Sequence, residues 1–426
     1  MGQLFSTSRN EKPERVPNVT QTIANVKHQL GQCLESLESL GPSLSDSLHH
    51  DHLLPKPANM NLSAEAIDIL HNIQLMLDPP ALILADHFLG YVRSKCLLAA
   101  VQRGIPDALE KMPMSLDELA EITHSHRDRL GQVMHILRNQ GIFVYNESDR
   151  RYYNSPASSL LLSNHWTQWH NWVSLYGTQF YDIARGIPDS TIKNAPRTAA
   201  QVNYDTDCDM FTFFREQQWV PQLLQTLGGG ATAQLPGMLA DYPWHEVANG
   251  LVMDIGGGGG DFIAGLLRKY PKMQGGLFDQ PHAIEHFRQS LALGGKLYDI
   301  KEQVRDENIV AGNFFESIPR CTVYTMKWCL HDWKDPEAIL ILKNIRDAIV
   351  PGPHNRLIVF ESVISDRHSD RLSHYGDINM MMTINGQERS KDDWERLAKA
   401  SGWELEGMFD LRRAWVKALD FRLPGC

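Results

Sequence analysis

The run Lys327-Trp-Cys-Leu-His331-Asp332-Trp333 places a histidine and an aspartate directly after an apolar stretch, Cys321-Thr-Val-Tyr-Thr-Met326, that reads as a β-strand. A histidine at the carboxyl end of a strand is placed to act as a base. Its unperturbed pKa of about 6.5 suits proton removal near neutral pH, whereas a free phenol near about 10 stays un-ionised. Taking the proton from a hydroxyl as it attacks supplies the nucleophile that in-line group transfer needs. Such an imidazole needs a carboxylate that holds one tautomer and stabilises the imidazolium. Glu361, which ends the next apolar run Arg356-Leu-Ile-Val-Phe-Glu361, is the first choice, and Glu388, in the loop Asn385-Gly-Gln-Glu-Arg389, is the second.

The second chemical signal is Leu251-Val-Met-Asp254-Ile followed by five consecutive glycines, Gly256 to Gly260. Strand, glycine-rich turn, helix and strand follow one another here, and the second strand ends at Asp279, 19 positions after Gly260. Glycines after a buried strand let backbone approach a ligand, and a carboxylate closing the next strand can accept both hydroxyls of a ribose. A nucleoside site is therefore expected. Gly256, Gly258 and Gly260 give G-x-G-x-G, and the third glycine of a dinucleotide fingerprint is replaced by Asp261. An acidic side chain at a helix N-terminus repels a pyrophosphate, and Asp254 adds a second negative charge. The pocket thus suits a cationic, phosphate-free cofactor, S-adenosylmethionine, and disfavours NAD.

The elements that must position these residues alternate strand and helix from about residue 246 onward. This predicts a doubly wound, mostly parallel α/β sheet of Rossmann-like type with its ligand at the carboxyl ends of the strands. The last strands are expected at Trp403–Phe409 and Arg412–Leu419. Residues 61–165 read as a winged helix: a capping box at Ser115-Leu-Asp-Glu118, a second helix with the stripe Leu130, Val133, Met134 and Leu137, and a hairpin from Ile142-Phe-Val-Tyr145 to Arg151-Tyr-Tyr153. Residues 166–245 form a helical linker rich in aromatics. Trp169, His170, Met210, Asp332 and Met381 are the candidate acceptor contacts, since apolar sites for flat molecules carry few polar groups and methionine adapts to irregular surfaces. Residues 1–60 are an extension in which Val19 to Leu40 has helical spacing and Ser43 to Asp51 reads as a polar linker; beyond it a further helix opens at Ser63 and ends before Pro79-Pro80.

The chain has 426 residues, 42% of them hydrophobic, and a formal net charge of −10. That length supports two or three domains, and the acidic balance argues against a duplex nucleic-acid partner. Arg127, Arg129 and Arg138 are offset by Asp117, Glu118, Glu121 and Asp128, so the winged helix reads as a packing or dimerisation module. The six cysteines lack paired or C-x-x-C spacing, which implies neither disulfides nor a metal site and points to a reducing, cytoplasmic setting. No apolar run reaches membrane-spanning length, and no secretory leader is expected. Met1-Gly2-Gln3-Leu4-Phe5-Ser6 fits the N-myristoylation pattern, which by itself anchors only weakly.

In order, VMDIGGGGGDF, GLFDQPH, AGNFF, MKWCLHDWKD, LIVFES and NGQERSKDDWERLAKASGW resemble the successive motifs of the S-adenosylmethionine-dependent small-molecule O-methyltransferases of plant and fungal specialised metabolism, over roughly residues 80 to 420. The resemblance implies a homodimer built through the winged helix. It also implies that Gly256 and Gly258 contact the cofactor, Asp279 takes the ribose hydroxyls, Asn313 and Phe314 flank the adenine and Lys327 lies near it, with His331 as general base between Glu361 and Glu388. Asn313 stands where many members have Asp, which keeps an acceptor but removes a charge. Two rivals remain. Some relatives bind the cofactor yet catalyse cyclisations, pericyclic rearrangements or dehydrations, and a winged helix can serve a metabolite-sensing regulator. Retention of His331 with both glutamates favours methyl transfer.

Overall fold

A computed structural model describes residues 18–425. The myristoylation pattern at Met1 to Ser6 lies outside them. The described residues fall into two compact units, divided between Asn59 and Met60. In the first, Asn18 caps the helix Val19–Ser39, as its spacing predicts. The stretch expected as a linker instead forms a short helix, Pro42–His49, because Gly41 turns the chain at φ +50° and Pro42 is preset for a first helical turn. Helix Pro57–Leu77 likewise starts earlier than Ser63, again on a proline.

In the second unit a capping box on Ser115 starts helix Leu116–Ile122, and helix Arg127–Asn139 leads into the hairpin of strands β1 (Phe143–Asn146) and β2 (Arg151–Asn154). Leu119, Leu130, Met134, Leu137, Phe143 and Tyr152 close a small core of their own. The large sheet contains β3 (Leu251–Ile255), β4 (Gln274–Asp279), β5 (Val304–Ala311), β6 (Val323–Lys327), β7 (Arg356–Glu361), β10 (Glu404–Asp410) and β11 (Lys417–Arg422), while β8 (Val363–Ile364) and β9 (Arg389–Ser390) form a separate short pair. Its order is β10-β11-β7-β6-β3-β4-β5, with the five strands from β7 to β5 parallel and β11 antiparallel to both its neighbours.

Period-two alternation sends Val252, Leu277, Ile358 and Phe360 to one face, against helices Asp261–Lys269 and Pro281–Leu291. Met253, Phe278, Tyr324, Met326, Leu357 and Val359 face the other way, onto helices Asp335–Ala348 and Lys391–Ser401. Because β3 lies between β4 and β6, chain direction across the sheet reverses there, which opens a crevice at the carboxyl ends of these strands. The last strand begins later than expected. Arg412 is drawn to Asp241, Nη2 to Oδ1 at 2.6 Å, and Arg413 sits at φ +57°, so residues 412–416 form a connection and pairing resumes at Lys417.

Candidate active site

The glycine turn leaves β3 with Gly256 at φ +69° and Gly258 at φ +55°, a left-handed backbone that disfavours any side chain. A Cβ on Gly258 would meet nothing within 4 Å, so this backbone borders open space. Gly258 N–H donates to Asp279 Oδ2 at 2.8 Å, and Gln280 N–H donates to Oδ1 at 2.6 Å. Among the described residues Asp279 has no ion-pair partner, so its two oxygens keep lone pairs for further donors. A carboxylate with spare acceptor capacity beside an open glycine turn fits a ribose diol without phosphate.

Two aspartates behave differently from the sequence expectation. Asp254 is buried, accepts from Thr325 Oγ1 at 2.7 Å, and burial pushes its carboxyl up to about 7. It supports β6 from below instead of lending a full charge to the crevice. Asp261 opens the next helix, as expected, but Lys296 Nζ lies 2.9 Å from its carboxylate and offsets part of its repulsion. Asn313 stands beside Asp279, whose carbonyl accepts from Gly312 N–H. Its side chain caps the turn, accepting from Phe315 N–H and donating to Glu316. Phe314 stands edge-on to Phe315 and Trp333, which also touch one another, and burial pulls the Lys327 ammonium down while Asp254 and Glu361 hold it up.

After β6 the chain reverses through Trp328, a bulky residue at φ +50°. Such strain costs about 1–3 kcal/mol and persists only where surroundings enforce it. Enforcement comes from Glu361 at the end of β7, whose Oε1 accepts from the N–H groups of Cys329, Leu330 and His331 at 2.9, 2.8 and 3.3 Å. The same carboxylate puts Oε2 3.3 Å from His331 Nδ1, and Glu388 Oε1 is 3.0 Å from that nitrogen. Asp332 Oδ1 lies 3.4 Å from Nε2. Burial alone disfavours a charged imidazole, but Glu361, Glu388 and Asp332 outweigh it and push His331 up to about 10. The three carboxylates thus favour the doubly protonated ring, unlike the unperturbed histidine the sequence suggested. Burial in turn raises Glu388, against the opposing pull of His331, and lifts Asp332 to about 6.

Glu388 reaches the ring because its loop is fastened to the loop carrying His331. Gln387 N–H donates to His331 O at 2.8 Å, Lys334 Nζ to Gly386 O at 3.2 Å, and Glu388 N–H to Asp377 Oδ1 at 2.9 Å. The buried Arg389 guanidinium joins Leu330 O, Trp333 O and Asp335. Sequence reasoning missed Arg389, Asp335 and Thr325, although the first two lie within the motifs already singled out.

The candidate acceptor residues separate into groups. Trp169 stands edge-on to Trp415 at 5.2 Å, and Trp415 stacks on Trp328 at 6.0 Å, so this tryptophan joins the strained turn. Trp172 and Tyr176, which sequence reasoning did not single out as contacts, continue the aromatic wall at 5.5 Å from one another. His170 Nδ1 and Trp172 Nε1 are buried with no hydrogen-bond partner among the described residues. Met381 packs on the helical core around Tyr176 and Phe180, and Met210 is buried within that core. Asp332 belongs to the imidazole cluster.

The O-methyltransferase domain family matches residues 247–404, and the O-methyltransferase dimerisation domain family matches residues 85–164. The O-methyltransferase aclM of Aspergillus oryzae is 53% identical over 387 residues, 89% of each chain. Among solved structures, CalO1, a methyltransferase of calicheamicin biosynthesis in its S-adenosylhomocysteine-bound form, is similar with a TM-score of 0.69 at 23% identity, covering 80% of this chain and 98% of its own. A structure described as a pericyclic reaction enzyme is similar with a TM-score of 0.70 at 20% identity, covering 95% and 100%. At these identities the two structures speak to the fold alone. The matched families, together with a relative 53% identical over 89% of each chain, place this chain in the S-adenosylmethionine-dependent O-methyltransferase family.

Proposed function

We propose that the acceptor is an aromatic or other apolar small molecule bearing a hydroxyl, and that His331 is the general base that takes its proton. The single observation that carries this reading is a buried imidazole with two glutamates on its Nδ1 side, at the carboxyl end of β6 and one turn from a tryptophan wall. Gly256, Gly258 and Asp279 hold the cofactor, with Asn313, Phe314 and Lys327 around its base. When bound, S-adenosylmethionine would supply an electrophilic methyl group on a sulfonium. With the ring neutral, Nδ1–H donates to Glu388 and the Nε2 lone pair accepts the hydroxyl proton. Glu361 and Glu388 then stabilise the imidazolium that forms. Trp169, His170, Trp172, Asp332 and Met381 orient the acceptor and exclude water.

The enzyme acts as a homodimer in the cytoplasm. Support for the dimer comes from the dimerisation-domain match and from the exposed Leu84, Phe88 and Tyr91 of helices Pro80–Phe88 and Gly90–Gln102. No helix among the described residues is long and apolar enough to cross a membrane. Residues 61–165 serve dimerisation, 166–245 contribute to the acceptor site, 246–426 bind cofactor and catalyse, and 1–60 are an extension. Incubation with methyl-labelled cofactor and a library of hydroxylated aromatics tests the reading. Labelled product with stoichiometric S-adenosylhomocysteine is expected; conversion without label would instead mark a cyclase or pericyclase.

A further inference from the structure

We propose that His331, Glu361 and Glu388 also form a binding site for a divalent first-row cation such as Zn²⁺, and that its occupancy switches the enzyme off. One ligand atom from each residue lies within 4.8 Å of the other two. Nδ1 of His331 is 3.0 Å from Glu388 Oε1 and 3.3 Å from Glu361 Oε2. A tetrahedral zinc with its ligands at about 2.0–2.1 Å spaces them about 3.3 Å apart, so two edges of the tetrahedron are already built. Glu388 Oε2 is buried with no hydrogen-bond partner among the described residues, Glu361 Oε2 makes no hydrogen bond and faces the His331 ring at 3.3 Å, and the Glu361 and Glu388 side chains are only 0% and 3% exposed. Buried carboxylates short of hydrogen bonds are costly, and a cation held between them offsets that cost. Once the metal has displaced the ring's Nδ1 proton, the neutral imidazole and the Glu361 and Glu388 carboxylates together carry charge −2, which a divalent ion cancels.

The inhibitory effect follows from the tautomer. Zinc takes the Nδ1 lone pair, so a charged ring releases its Nδ1 proton to solvent, while a neutral ring shifts its one proton to Nε2. Either way the product is a zinc-bound Nε2–H imidazole with no lone pair left to accept a hydroxyl proton. This consequence rests on His331 being the base, whereas metal uptake does not.

The test therefore reads uptake without turnover. Full-length protein freed of metal is dialysed against ZnCl₂ in a non-chelating buffer, alongside His331→Ala and Glu388→Gln, each checked for unchanged circular dichroism. One zinc equivalent per chain is expected that His331→Ala lacks and that Glu388→Gln binds weaker by on the order of tenfold or more. Co²⁺ should give the intense visible bands of a tetrahedral site in the wild type alone. Equal zinc uptake by all three proteins, as surface histidines such as His49 would give, overturns the site. In wild-type turnover assays zinc should inhibit and a chelator restore activity; full activity with the site filled overturns the switch.

Discussion

At the scale of single residues, the crevice separates cofactor retention from proton transfer. Among the described residues the Asp279 carboxylate accepts from the backbone N–H groups of Gly258 and Gln280 and has no ion-pair partner, so Asp279→Ala should weaken binding of S-adenosylhomocysteine in calorimetry. His331→Ala should leave that affinity within a few-fold and lower kcat by about 10²- to 10⁴-fold, the range for losing a general base. Near-normal kcat in the histidine variant would remove its role. The carboxylates raise the His331 pKa to about 10, so the neutral, competent ring grows with pH and kcat/KM should climb from pH 7 toward the alkaline side. Glu388→Gln removes one negative charge while keeping an acceptor for Nδ1–H. Its rising limb should move to lower pH by about one unit or more. A limb that stays in place would show that Glu388 does not set the proton affinity of the ring.

At the scale of elements, two loops must stay in register for Glu388 to meet His331. Gly386 sits against the other loop so closely that an added Cβ would lie 2.3 Å from His331 O and 3.1 Å from Asp332 Cα. Neither is the movable end of a side chain. Gly386→Ala should therefore push the loops apart, costing about 1–3 kcal/mol of stability by the usual penalty for overpacking. Thermal unfolding measures the stability, and kcat should fall with cofactor affinity kept. A variant as stable and active as the wild type would mean the loops tolerate the shift. The same packing explains the positive φ of Trp328. Glu361 gathers three successive N–H groups, and the chain has to turn sharply after Lys327 to present them.

At the scale of the whole molecule, the apolar residues left outside the cores concentrate in helices Pro57–Leu77 and Pro80–Phe88, where Leu62, Met76, Leu84 and Phe88 are exposed. Exposed apolar side chains gathered on a few helices are what a subunit interface would cover. Sedimentation should give a mass twice the 48.3 kDa of one chain. Phe88→Asp, at a position 67% exposed in the single chain, should shift that mass toward the monomer with little change in the circular dichroism spectrum. A wild-type monomer at micromolar concentration would refute the dimer.

The sequence by itself determined the sheet class, because strand alternation and glycine punctuation are local signals that put Asp279 and Glu361 at strand ends, His331 in the turn after β6 and Glu388 in the loop before β9. It also determined the capped helices and the hairpin before the sheet. It gave Asp254 a full negative charge toward the ligand, since whether a strand-end carboxylate stays charged or is buried against Thr325 depends on which strand lies alongside. It gave His331 an ordinary proton affinity, because the three carboxylates around the ring come from β7, from the loop before β9 and from the adjacent residue, and only folding brings their charges within 3.0–3.4 Å. The aromatic wall from Trp328 through Trp415 to Trp169 was likewise hidden, since residues so far apart in sequence share no local pattern. Local periodicity encodes elements, whereas burial and charge at a site are properties of what the chain packs beside it.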